Sequence, residues 1–381
     1  MALSSTFGFA APAKKADLAW SAKMQQLSAT LSNIMPDLVS GKTPDAKALA
    51  RLKEGATAIN RLAHQIDKNA KGKSMAPPPD ADPSLAMLSG LFEREAKTAL
   101  HALQSGSVEY GKASLRMVTN YCVSCHTRTN QGPQFGAVSD KQTKGLTKME
   151  RAQLHAATRQ FDAALEEFES VISDNDIAKK RQLEWGRAVR HAFTIAIRVK
   201  QDPDRALKIV QRVEALPTTP GLFRDFVASW KQSVEDWKKE GKKSFSSEED
   251  IYQEANRLGK AAEAMQKFPM DHSADVLYLR LSLTAHELLT RYPDGKHVSD
   301  TLYLLGNAYD LLDDHLISPL PEMYYETCIR RTPHSPASQK CYQRYESNVY
   351  FGYTGSAGTS IPDDLAERLK ELKEIAATKK G

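Results

Sequence analysis

The chain has 381 residues, 41% hydrophobic and 26% charged, which is room for two or three domains of ordinary soluble composition. Its net charge of +5 is the difference of 52 basic and 47 acidic residues interspersed along the chain, too small and too dispersed to point to nucleic acid. No long unbroken apolar run occurs, so no membrane span is expected.

The first residues are small and apolar, from Ala2 to Ala13, and Lys14-Lys15 follow. Ala11-Pro12-Ala13 has the form of an A-x-A cleavage site, so residues 1–13 read as the remnant of a secretory signal peptide. The basic leading region is missing and the apolar stretch is short, so a start placed late and a loose terminus both fit.

Residues 14–135 are expected to form four helices. Met24, Leu27, Leu31, Ile34 and Leu38 follow the three-to-four spacing of one apolar helical face, with Pro36 set to bend its end. Leu52, Ala56, Ile59, Ala63 and Ile66 mark a second helix, and the Gly-, Ser- and Pro-rich segment 71–79 breaks it. Asp82-Pro83 reads as an N-cap with proline at the first helical position, opening a third helix through Leu85, Leu88, Phe92, Ala96, Ala99 and Leu103. Ser105-Gly106-Ser107 turns the chain into a fourth helix through Leu115, Val118 and Tyr121, which Gly132-Pro133 should end.

The fourth helix carries Cys122-Val123-Ser124-Cys125-His126, the C-x-x-C-H attachment sequence of c-type haem. The spacing suits that chemistry. Two cysteines three apart lie on one side of a helical turn, where both thiols can join the vinyl groups of one porphyrin, and the adjacent His126 can reach the iron from the proximal face. A zinc site would need a second ligand pair close by, and the other cysteines, Cys328 and Cys341, lie far downstream. A thioredoxin-like redox pair would need a βαβ context that the pattern lacks. One covalent haem c is the cofactor expected.

Four amphipathic helices with C-x-x-C-H near the end resemble the cytochrome c-prime family. The resemblance covers about a third of the chain and implies a four-helix bundle with the haem in its core. Within the family, six-coordinate members take a distal methionine from the first helix. The stretch Trp20-Ser21-Ala22-Lys23-Met24-Gln25-Gln26-Leu27 resembles that motif, with Met24 at the ligand position. Methionine on an apolar stripe also serves as core filler; without Met24 the iron would be five-coordinate and open to small gases. His64 and His101 are the other distal candidates, and both fall off the apolar stripes. The resemblance also implies attachment outside the cytoplasm, hence export to a bacterial periplasm, and allows a homodimer. Gly132-Pro133 after the haem histidine is similar to the small class I cytochromes, in which Met149 would be the distal ligand. Met149, however, lies in Thr147-Lys148-Met149-Glu150, a capping box that starts a helix. Arg128 can pair with a haem propionate or stand as a surface arginine.

After a linker at 136–146, residues 147–378 are expected to form an α-solenoid of helix pairs. Gln160 to Glu169 resembles the second helix of a tetratricopeptide repeat, and Asp202 to Val210 reads similarly. Leu289-Thr290-Arg291-Tyr292-Pro293 and Ile329-Arg330-Arg331-Thr332-Pro333 stand forty positions apart, longer than the usual repeat of about 34. Breakers Gly221, Gly241 and Pro269 separate the helices, no strand alternation is seen, and Leu365, Leu369, Leu372 and Ile375 mark a final capping helix. Cys328 and Cys341 can form a disulfide between neighbouring helices or remain two buried thiols.

The fold expected is therefore all-α, a haem-bearing bundle followed by a helical repeat region. No phosphate loop, H-E-x-x-H or nucleophile elbow occurs, so an enzyme is not expected. The function expected is electron transfer by a periplasmic monohaem cytochrome that docks a redox partner or envelope protein through its repeat region. A haem-based gas binder or sensor, and an envelope scaffold with structural haem, are the alternatives.

Overall fold

The computed structural model describes residues 15–70, 82–128, 132, 135–268, 271–312, 320–356 and 358–377. Residues 1–14, with the signal-like stretch, lie outside it, as do Pro133, Pro269 and Met270. The fold is all-α. Seventeen α-helices occur among the described residues, and the only strands there are the two-residue pair Thr354–Gly355 and Gly358–Thr359, an exposed hairpin that the sequence pattern did not announce. No helix is long and apolar enough to cross a membrane, among the described residues.

Four helices open the chain: α1 (Lys15–Val39), α2 (Ala46–Ala70), α3 (Pro83–Gln104) and α4 (Val108–His126). Each packs on the next, and α4 returns to touch α1. Their apolar stripes meet as expected, with Leu31, Leu38, Leu52, Ile59, Leu62, Ala96, Ala99 and Leu115 fully or almost fully buried. Pro36 lies inside α1, one turn before its end at Val39. Gly55 lets α1 and α2 approach closely, since a Cβ there would stand 2.5 Å from Ile34 Cγ2. Asp82 caps α3 by accepting from the Ser84 amide at 3.1 Å, with Pro83 at the first turn as expected. The fourth helix stops at His126 rather than at Gly132-Pro133. Thr127 caps it, its hydroxyl turned back to the Val123 carbonyl at 2.8 Å.

The segment read as a linker contains a short helix, α5 (Asp140–Thr143), that packs against α1. The helices that follow are α6 (Lys148–Ala157), α7 (Phe161–Ile172), α8 (Asn175–Lys180), α9 (Gln182–Thr194), α10 (Pro203–Ala215), α11 (Gly221–Glu240) and α12 (Glu248–Met265). Then come α13 (Asp275–Arg291), α14 (Val298–Leu312), α15 (Leu320–Arg331), α16 (Pro336–Tyr353) and α17 (Asp363–Ala376). Sequence neighbours pack on one another through most of this run. The Thr147–Glu150 capping box opens α6 as read from the sequence. Gly221 is no breaker; it is the first residue of α11, while Gly241 ends that helix at φ 71°. The two corners forty residues apart touch: Arg331 Nη2 donates to the Pro293 carbonyl at 2.5 Å.

Between α9 and α10 lies a π-helical turn, Ile195–Val199, fully buried and unsignalled by the sequence pattern. Cys328 and Cys341 form a disulfide that joins α15 to α16, which settles the pairing left open above. One apolar core runs through both parts of the chain, from Leu27 on α1 to Ala376 on α17, and α15 packs against α3.

Candidate functional site

The four opening helices alternate in direction. The Asp37–Arg51 pair ties the end of α1 to the start of α2, and His64–Glu93 ties the end of α2 to the first half of α3. The start of α4 is pinned to the end of α1, where Lys112 Nζ donates to the Ser40 carbonyl at 2.7 Å and Arg116 Nη2 to the Leu38 carbonyl at 2.9 Å. Helices α1 and α4 are therefore antiparallel, and the motif at the end of α4 lies at the end of the molecule where α1 begins.

Cys122 and Cys125 are free thiols on the last turn of α4, the first buried and the second half-buried. Burial pushes the Cys122 thiol up to about 12 and the Cys125 thiol up to about 11. His126 follows at once. Its Nδ1–H donates to the Ala157 carbonyl at 2.8 Å, and no hydrogen bond engages Nε2 among the described residues. The acceptor comes from helix termination. Ala157 is the last residue of α6, whose final carbonyls have no intrahelical donor, and Arg159 takes a left-handed φ of 59° that turns the chain away. The Arg159 guanidinium then returns to the His126 carbonyl at 3.4 Å, and Phe135 stands 5.4 Å from the imidazole, ring to ring. Burial, with Arg159 as a second cause, pushes the imidazole down to about 4, so it is neutral near pH 7.

This donor set fits a covalently held haem. Two thiols share one helical turn, and a neutral histidine has one nitrogen fixed by a backbone carbonyl and the other left for iron, the orientation that metal-binding histidines are given. It does not fit a zinc site: among the described residues, no three His, Cys, Asp or Glu side chains come together as a metal-binding group.

Met24 lies on α1, half-buried against the core. Met24 is in the first half of α1 and His126 ends α4, so with the two helices antiparallel both lie toward the same end of the four opening helices. Met149 is buried at the head of α6, about 12 Å up that helix from Ala157. His64 is exposed and bonded to Glu93 at 2.6 Å. His101 is exposed in the last turn of α3, at the opposite end from Asp82. Neither histidine is buried among the four opening helices beside the motif.

Arg128 is not a surface residue. Its side chain is 13% exposed and forms an ion pair with Asp82, whose side chain is 2% exposed. Asp82 also accepts from His286 Nδ1 at 2.8 Å, across 204 residues of sequence, and Tyr324 Oη approaches it at 3.4 Å. His286 Nε2 accepts from Tyr309 Oη at 2.9 Å, the tautomer that satisfies both ring nitrogens. Burial opposes ionisation of Asp82, yet Arg128 and His286 outweigh it and hold the carboxyl below the usual range. Burial first and Arg128 second push His286 down to about 4. The network joins the N-cap of α3 and the end of α4 to α13, α14 and α15. Asp82 was legible as a cap; its tie to His286, Tyr309 and Tyr324 had no local signal.

Beside the outer face of the motif, Val123, Ser124, Thr127 and Arg128 line a cavity of about 80 Å3 closed by α9, the π turn, α14 and the start of α15. It is far below the volume of about 300 Å3 at which small-molecule pockets begin, so it does not house a porphyrin. No family model matches the chain, and no curated protein or solved structure matches it either.

Proposed function

We propose that the chain is an exported, periplasmic monohaem c-type cytochrome that carries electrons, with a first third resembling the cytochrome c-prime family and a helical remainder that docks a protein partner. The observation that carries this reading is His126: a neutral imidazole, oriented by the Ala157 carbonyl through Nδ1, directly after two free thiols on one helical turn. A haem bound there would supply reversible one-electron chemistry. Cys122 and Cys125 would hold it, His126 would be the proximal ligand and Met24 the distal one. Arg128, still with an unbonded Nε, has the chemistry to meet a propionate. The Ala157 carbonyl fixes the tautomer and ring plane of His126, and raises its strength as a ligand. Phe135 packs beside the same ring, and Arg159 holds the backbone carbonyl of His126.

Absorption spectra of the oxidised and reduced protein, from a host able to mature c-type haem and with and without carbon monoxide, test the reading. Low-spin spectra indifferent to carbon monoxide, becoming high-spin and responsive in Met24→Ala, are expected. A wild-type spectrum that already shifts with carbon monoxide moves the function to gas binding, and a colourless protein removes the haem altogether.

A further inference from the structure

We propose that the cavity between α4 and the second part of the chain is a binding site for a small oxyanion or carboxylate, held by Arg198 and Arg128. Arg198 is 5% exposed and lies on the buried π turn; its Nε donates to Ser282 Oγ at 2.9 Å and its guanidinium lies 5.2 Å from the Tyr309 ring. Among the described residues no carboxylate pairs with it. A buried guanidinium without counter-charge is costly, and natural interiors answer such charges. Ser282 is neutral and an aromatic face offers only a weak substitute. Arg128 makes the second case. Asp82 meets its Nη2, while its Nε is buried with no hydrogen-bond partner at all.

Both side chains line the same cavity of about 80 Å3, together with Arg190, His191, Thr194 and Tyr309. The walls are cations, hydroxyls and apolar groups, and no Asp or Glu is among the described lining residues. The volume suits a few waters or one small anion such as nitrate, sulfate or acetate, not a nucleotide or peptide. Planar guanidinium forks match carboxylate and oxyanion geometry. A π turn is a rare helical form that recurs at functional sites, and here it carries the cation inward. The same chemistry has two sources, a free anion or the propionate of a haem held at Cys122 and Cys125. Only the second rests on the proposed cytochrome function.

Thermal melting of the haem-loaded protein in nitrate, sulfate or acetate at constant ionic strength tests the site, beside Arg198→Met. A wild-type Tm that climbs by roughly 1–2 °C per tenfold rise in one anion, with no climb in the variant, assigns the site to a free anion. A wild type indifferent to all three, but with a reduction potential that falls in Arg198→Met, assigns it to the propionate, since losing a nearby cation favours the oxidised centre. Indifference together with an unchanged potential, or a variant that responds like the wild type, overturns the proposal. Should Arg198→Met fail to fold, Arg198→Lys replaces it, with a weakened rather than abolished response. A chain that matures without haem is titrated in the same way, and there an indifferent Tm overturns the proposal, so failure of the site and failure of the haem reading are separate results.

Discussion

The two parts of the chain bury different things. Helices α1 to α4 meet through short aliphatics such as Leu38, Leu52, Ile59 and Leu62, with Lys112 the bulkiest fully buried side chain. The second part is anchored by Trp185, Trp230, Tyr278, Tyr324, Tyr325, Phe168 and Phe193, all fully buried. Trp185 Nε1 donates to the Ile172 carbonyl at 2.8 Å and Trp230 Nε1 to the His272 carbonyl at 2.7 Å, so these rings fix backbone as well as fill space. A disulfide adds to them. The second part therefore carries its own large anchors. The first ends in two thiols outside any disulfide and an imidazole nitrogen that no hydrogen bond engages among the described residues, and on the proposed reading the haem is held there.

The strongest way to break this comparison is to remove both attachment points. Cys122→Ser with Cys125→Ser should abolish all covalent haem and lower the melting of the first part. With Trp20 replaced by phenylalanine, the fluorescence transition that reports Trp185, Trp230 and Trp237 should stay near its original place. Haem colour that survives denaturation in this variant contradicts the attachment sites, and a uniform loss in both parts contradicts the division.

Trp185→Ala should cost about 3–5 kcal/mol, because it empties a fully buried aromatic site and orphans the Ile172 carbonyl. Denaturant melts followed by circular dichroism would show it. A loss below about 1 kcal/mol would mean the ring is not an anchor.

Replacing Cys328 and Cys341 together by alanine should cost about 2–4 kcal/mol, the usual worth of a native disulfide. The haem spectrum should not change, since the pair lies on α15 and α16. A spectral change would sharpen the coupling between the two parts.

The smallest effect is a pH dependence. His286 is held down to about 4 from an ordinary 6.5, so its neutral form favours the folded state. Its contribution is fully present above pH 6.5 and is lost as the pH falls through 6.5 towards 4. Tm measured across that window should decline less steeply in His286→Gln than in the wild type. His155 is also pushed down by burial, so the variant removes only part of the slope. An unchanged slope would place the acid sensitivity elsewhere.

Periodicity made the first four helices legible, and end signals such as Asp82-Pro83 and the Thr147–Glu150 box were correct because capping is local chemistry. The end of α4 was misplaced: the helix stops at His126, with the Thr127 amide closing its last turn on the Val123 carbonyl, before the Gly-Pro pair is reached. The motif residues were visible as a pattern, but their setting was not. The Ala157 carbonyl that orients His126 depends on where another helix stops, and the Asp82–His286 contact depends on how distant helices dock. The buried Arg198 sits on a π turn that no hydrophobic period marks.

The most direct measurement is the intact mass of the protein after maturation in a host with a c-type haem assembly system, taken under denaturing conditions. A gain of one haem that persists after unfolding, and disappears when Cys122 and Cys125 are replaced, is the expected result. An unmodified chain with both thiols free to alkylate would contradict it.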